Sequence, residues 1–261
     1  MYQSIITEID DGVGILTLNR PDRHNALDKT VIAETTAALR ELEEDPRVLV
    51  VVLSSSGKYF CAGTDPDWIR EAINGTPEEN LQSNRALGHL LATLDTLSKP
   101  TIARVHGSAS GIGVGLVAAC DIAFSTYDAS FALNEARYGL LPAIASPYLI
   151  AAVGERHARY YMLTGERFSG TEAYRIGLVH EMVPAEEQLD EAISETIDTL
   201  LKNSPNALSG CKALVHAVSG QPIDDTTIEE TAQSATVIQS SSEGLEGMTA
   251  LVEKRKPAWG R

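Results

Sequence analysis

The sequence predicts an α/β protein whose C-terminal part is helical, and three observations carry that reading. Residues 49–53, L-V-V-V-L, form a continuous apolar and largely β-branched run, which suits a strand covered on both faces as in a parallel sheet. Up to Val105, strand-like runs alternate with stretches of helical periodicity, the pattern of a sheet layered with helices. Beyond Pro147 the apolar spacing is helical almost throughout.

Taken in order, residues 4–8 and 13–19 flank Asp10-Asp11-Gly12 and read as a hairpin. A polar loop, residues 20–27, leads to Asp28, which is placed to cap a helix with Val31, Ile32, Leu39 and Leu42 on its buried face. Asp45-Pro46 stops that helix ahead of the 49–53 strand. Residues 59–65, Y-F-C-A-G-T-D, follow as small residues at a strand's carboxyl edge, where open α/β sheets bind ligands. Helical character resumes near Trp68 and is clear over residues 79–97, and Lys99-Pro100 opens a strand over 101–105.

The stretch from Val105 to Pro147 organises the chain. Its backbone turns through Gly107, Gly111, Gly113 and Gly115 into an apolar helical run over 116–120. Glycines admit a ligand close to the backbone, and the first N–H groups of a helix have no internal partner, so such a turn favours an anionic oxygen. Two short strands between 121 and 133 then deliver Asn134-Glu135-Ala136 beside a Gly/Pro-rich bend. Oxyanion donors and one carboxylate therefore share a stretch of chain. A dinucleotide fingerprint is only loosely approximated here, and no acidic residue closes a second strand at the expected distance. Past Pro147, short helices are punctuated by Gly154, Gly165, Gly170 and Gly177. A last strand falls at 179–184, and helices cover 187–201, 205–218 and 226–254, the third interrupted at 240–244. A core over 1–200 and a helical region over 201–261 are expected.

Composition narrows the function. The 261 residues carry a net charge of −15, from 36 acidic and 21 basic side chains, which disfavours nucleic acid because that partner needs clustered cations. A small anionic ligand needs only a local patch, such as Arg20 with Arg23 or Lys254-Arg255-Lys256. No apolar run approaches the ~20 residues of a membrane span, and the N-terminus has acids where a signal peptide has bases. Cys61, Cys120 and Cys211 fit neither a disulfide framework nor a zinc site. A cytoplasmic protein with no membrane partner is expected.

The motifs R-P-D-R-H-N-A-L, F-C-A-G-T-D, the glycine segment ending A-A-C-D-I-A, and F-A-L-N-E-A-R-Y-G-L-L-P resemble the crotonase superfamily, the enoyl-CoA hydratases and isomerases. T-G-E-R-F-S-G-T-E-A-Y-R-I-G-L-V-H-E-M-V and E-K-R-K-P-A-W extend the resemblance over nearly the whole chain. Within the family, S-P-Y after L-P-A-I-A and the C-terminal S-S-E-G-L-E-G-M look closest to bacterial methylglutaconyl-CoA hydratases. The resemblance implies a spiral of ββα units with a helical trimerisation region, assembled as a homotrimer or a dimer of trimers. It implies an acyl-CoA substrate with no separate cofactor and no metal. It places oxyanion donors at the backbone N–H groups of Thr64 and Ile112. The remaining CoA and substrate contacts it implies fall at Arg23, Asn25, Ala26, Ala62, Asp65 and Gly111, and the catalytic carboxylate falls at Glu135.

One position departs from the family's two-glutamate pattern: Gly115 stands where the first glutamate is found. Two carboxylates share the work of holding water at C3 and delivering a proton to C2, whereas one suffices to move a proton between C2 and C4. A hydratase using Glu135 is the reading adopted, with a Δ3-Δ2 enoyl-CoA isomerase and a catalytically weak acyl-CoA binder as alternatives. The dehalogenase branch would need a nucleophilic aspartate at Ala143. His106 reads as a structural histidine, and Ser108, Ser110 and Ser146 belong to no hydrolase elbow.

Overall fold

The computed structural model describes residues 2–259; the outer limits of the two expected segments, residue 1 and residues 260–261, lie outside the described residues. Strands β1 (Ile5–Asp10) and β2 (Val13–Leu18) form the expected hairpin, turned at Asp11 and Gly12 with φ of 38° and 89°. From β2 onward each neighbour is parallel: β3 (Val50–Ser55), β4 (Thr101–Val105), β6 (Ile122–Thr126) and β9 (Glu181–Val183) complete the order β1-β2-β3-β4-β6-β9. Parallel strands point their carboxyl ends the same way, so the loops that leave them gather at one edge.

The apolar run of β3 is explained by what covers it. Val51 and Leu53 face the main core with Leu39 and Leu42 of α1 (Lys29–Glu44) and Leu90, Leu91 and Leu94 of α3 (Pro77–Asp95). Val50 and Val52 face the other way, onto Leu189 and Ile193 of α7 (Glu186–Leu200). Burying each such side chain contributes roughly 1.5–3 kcal/mol, so both layers are held strongly. Asp28 caps α1, its Oδ1 accepting from the Val31 N–H at 2.9 Å.

A second, three-stranded sheet was not expected. It consists of β5 (Ser108–Ser110), β7 (Ser130–Ala132) and β8 (Arg167–Ser169), with Phe131 and Phe168 stacked at 5.5 Å. The helix after the glycine turn, α4 (Ile112–Ala118), begins one turn earlier than the apolar run suggests. Glycines disfavour a helix locally, and packing overrides that preference here. Short α2 (Pro66–Asn74) follows the 59–65 segment, and α5 (Ser146–Thr164) breaks at Gly154 (φ 73°). Beyond α6 (Gly170–Arg175) and α7, the chain ends in α8 (Pro205–Val218), α9 (Asp225–Gln239) and α10 (Ser242–Glu253). Among the described residues of these last three helices only Ala250 is buried, and Lys212 Nζ ties α8 to the core through Asp121 Oδ2 at 2.8 Å.

Candidate active site

Two backbone segments at the carboxyl edge of the large sheet are laced together. Cys61 pairs with Ala109 of β5: the Cys61 N–H donates to the Ser108 carbonyl (3.2 Å), and the Ser110 N–H to the Cys61 carbonyl (2.9 Å). On its other side the first segment bridges to Leu27 through the Gly63 carbonyl and the Asp65 N–H. That bridge leaves the Thr64 N–H facing away, with no hydrogen-bond partner among the described residues. Ile112 opens α4, and its N–H is likewise unpartnered, as first-turn donors are. Close approach of the segments depends on missing side chains. A Cβ on Gly113 would lie 2.6 Å from the Cys61 carbonyl oxygen, and one on Gly63 would lie 3.0 Å from that of Ser110.

Glu135 arrives from the other side. It starts a single 3₁₀ turn (Glu135–Tyr138) closed by Gly139 at φ 71°. Its Oε1 lies 2.8 Å from where a Cβ on Gly111 would stand, and Gly111, at φ 53°, donates its N–H to the Ala132 carbonyl (2.8 Å). The carboxylate thus rests against the glycine that immediately precedes Ile112. Its Oε2 is buried and has no hydrogen-bond partner among the described residues. Burial pushes this carboxyl above the ordinary glutamate range, and a bond from its own backbone N–H offsets only part of that. Unpaired donors and a desolvated carboxylate with one unpaired oxygen, in one place, can stabilise an enolate-like oxygen and carry a proton to or from the adjacent carbon.

The remaining predicted residues lie in the loop that flanks the first segment, and most of their polar atoms are committed to it. Asn25 is buried: its Nδ2 donates to the Ser56 and Tyr59 carbonyls, both at 2.8 Å, and its Oδ1 accepts from the Arg20 N–H at 2.8 Å. Asp65 is also buried and caps α2, its Oδ1 accepting from the Asp67 N–H at 2.8 Å. Arg23 pairs with Asp67, and its Nε lies 4.0 Å from Asp65 Oδ2. Ala26 is buried, while Ala62 is exposed with its N–H donating to the His24 carbonyl at 3.0 Å. Thr64, Ile112, Gly111 and Glu135 are therefore brought together, and Arg23, Asn25, Ala26 and Asp65 form the loop beside them.

Sequence reasoning missed two contributors. Arg20, read as part of an anion patch, is a strut: its guanidinium reaches Asp28 Oδ2 at 2.6 Å and Asp65 Oδ2 at 3.2 Å. No local pattern links residues 8 and 45 positions apart. Ala145 is the other, because Gly115 is closed by it: a Cβ there would lie 2.9 Å from the Ala145 Cβ and 3.2 Å from Leu91 Cδ1.

Rival nucleophiles and bases are occupied. Cys61 is fully buried, and burial pushes its thiol up to about 12, so no thiolate stands beside the turn. His106 Nε2 donates to the Gly57 carbonyl (2.6 Å) while its Nδ1 faces Arg104 (3.2 Å), the structural role expected of it. Ser108 and Ser130 bond each other, and Ser146 Oγ donates to the Ala143 carbonyl. A groove of about 820 Å³ between α2 and α3 runs past Trp68, and neither Glu135 nor Ile112 lines it. No helix among the described residues is long and apolar enough to cross a membrane.

Known proteins share this arrangement of chain. A putative enoyl-CoA hydratase of Thermus thermophilus is 33% identical over 253 residues, 97% of this chain and 99% of its own. A peroxisomal Δ(3,5)-Δ(2,4)-dienoyl-CoA isomerase of Arabidopsis thaliana is 29% identical, covering 97% of this chain and 94% of its own. The crystal structure of an enoyl-CoA hydratase from Shewanella pealeana superposes with a TM-score of 0.95 at 37% identity, covering 98% of this chain and 96% of the other. The enoyl-CoA hydratase/isomerase profile matches residues 8–261, and the chain belongs to that family.

Proposed function

We propose that the protein hydrates a 2-enoyl-CoA, with Glu135 as the acid–base and the Thr64 and Ile112 N–H groups as the oxyanion hole. The observation that carries this is the unpaired, buried Oε2 of Glu135 lying in the same cluster as two unpaired backbone donors. As the oxygen of water bonds to C3, Glu135 takes its proton. The C2=C3 pair shifts to give an enolate, whose oxygen rests on the two N–H groups. Glu135 then delivers the proton to C2 and the thioester carbonyl re-forms. Each oxyanion donor is worth ~3–4 kcal/mol of barrier, and the carboxylate roughly 10²–10⁴-fold in rate. Arg23, Asn25 and Ala26, with Ala62 and Asp65, would flank the phosphate and adenine end of CoA, and Gly111 the acyl end.

With one carboxylate in the site, a branched or glutaconyl-type chain suits it, because a glutaconyl substrate brings a carboxylate of its own. The closed Gly115 position also favours a second reading, Δ3-Δ2 isomerisation, which needs Glu135 alone. Three substrates separate these. A hydratase consumes the enoyl-thioester absorbance of crotonyl-CoA and 3-methylglutaconyl-CoA. An isomerase generates that absorbance from 3-hexenoyl-CoA. A binder without chemistry does neither while still giving heat on titration with CoA esters.

The reading includes a homotrimer or dimer of trimers, supported by exposed apolar side chains on the last helices: Ile228, Val237, Leu251 and Val252 are each more than half exposed. Sedimentation at micromolar concentration should show such an assembly, and a stable monomer rejects it.

A further inference from the structure

A second carboxylate can be lost by the change of one side chain. Here its absence is built into a helix crossing. Gly115 lies in α4, one turn beyond Gly111, the residue against which the Glu135 carboxylate rests. In a helix the Cα–Cβ bond leans toward the N-terminus, so a side chain at 115 would reach back toward Ile112 and Glu135. That path starts inside the Ala145 methyl. The Cβ itself would stand 2.9 Å from the Ala145 Cβ, 3.3 Å from its Cα and 3.2 Å from Leu91 Cδ1. Leu91 can yield a few tenths of an ångström at the end of its side chain. The methyl of Ala145 cannot, because Ala145 is buried at the start of α5, and α4 and α5 meet there.

We infer that Ala145 is a specificity-determining residue: its methyl, locked against Gly115, holds the site to one carboxylate and so sets the balance between hydration and proton shift. This rests on the acid–base role given to Glu135 above. The contact keeps an apolar wall of Gly115, Ala145 and Leu91 one helical turn from the reacting end. Gly115 is then a packing requirement as well as a missing acid, and restoring glutamate alone cannot create a two-carboxylate site.

The test is a pair of cycles read in two ways. For packing, Gly115→Ala, Ala145→Gly and the double variant are melted. Gly115→Ala should lower the midpoint by several degrees, and Ala145→Gly should recover most of that loss, a coupling that independent sites do not show. For chemistry, Gly115→Glu and Gly115→Glu/Ala145→Gly are assayed for hydration of crotonyl-CoA and isomerisation of 3-hexenoyl-CoA. The single variant should lose at least about tenfold in both activities, and the double should fold and raise the hydration-to-isomerisation ratio by at least about 10²-fold, the low end of what an added acid–base group supplies. Additive melting effects overturn the inference, as does a Gly115→Glu single variant that folds and matches the double. A double variant that folds with an unchanged ratio overturns it too. If the wild-type chain shows neither activity, the functional reading fails, and the melting cycle still decides whether Ala145 is what closes position 115.

Discussion

The two ends of the site differ in how their polar atoms are paired. Around Arg20, Arg23, Asn25 and Asp65 nearly every polar side-chain atom is matched: Asn25 makes three bonds, and the two arginines share three aspartates. Around Glu135 the opposite holds, with a buried carboxylate oxygen and two backbone donors unmatched. Pairing stabilises and fixes a scaffold, while an unmatched buried group costs stability unless something binds to it. The first region is therefore scaffold with one cationic edge, and the second is where the substrate's changing charge belongs.

The sharpest way to break this contrast is Glu135→Gln, which keeps the shape and removes the base. Turnover should fall by roughly 10²–10⁴-fold with CoA-ester binding nearly intact, as measured by steady-state kinetics and calorimetry. Stability should move the other way. The folded-state value of this carboxyl lies above its unfolded one, so the folded protein holds the proton more tightly, and ionisation costs stability at neutral pH. The variant should melt higher than wild type at neutral pH, with the gap narrowing as pH falls through the raised value toward the ordinary glutamate range. The wild-type rate should fall on the acid side at a higher pH than an ordinary glutamate would dictate. Unchanged turnover in Glu135→Gln would place the chemistry elsewhere.

Asn25→Ala tests the scaffold side. It strands two carbonyls and one N–H in a buried loop, and should cost about 3 kcal/mol or more, seen as a lower urea midpoint with an unchanged slope. A near-neutral result would mean that the loop is held by something other than its amide. The smallest effect belongs to Arg23. Its guanidinium already pairs with Asp67, so a phosphate gains only the difference, and Arg23→Ala should weaken CoA binding by roughly fivefold. Lys29→Ala, which breaks a pair with Glu71 instead, should weaken it less. Equal losses would remove Arg23 from the phosphate end.

The large sheet was legible because its strands and helices obey local rules. The apolar run at 49–53, the cap at Asp28 and the break at Gly154 each act within a few residues. Of the small sheet only β7 was legible, as the second short strand between 121 and 133; S-A-S and R-F-S are too short and polar for any periodicity to register, so the sheet itself went unread. Glu135 and the two donors were reached through motif resemblance. The pairings that orient them, Cys61 with Ala109 and Gly111 with Glu135, join residues tens of positions apart, and no spacing rule reports them. For Asn25 and Asp65 the sequence shows a polar side chain but not that its hydrogen bonds are spent within the loop, so their part in holding that loop was not legible.

In the proposed mechanism the thioester lies on main-chain atoms, and that has an evolutionary consequence. Selection cannot act on an N–H directly; it acts on the residues that let two strands of backbone come within reach. In a saturation library of this chain, exposed Thr64 would drift almost freely although the proposed mechanism takes a donor from it. Gly63, at φ 98° against the Ser110 carbonyl, and Gly113, pressed on that of Cys61, would admit almost nothing although they supply none. Around the two donors, positions that vary widely and positions that never change would sit side by side, and the invariant glycines there would be residues with no chemistry of their own.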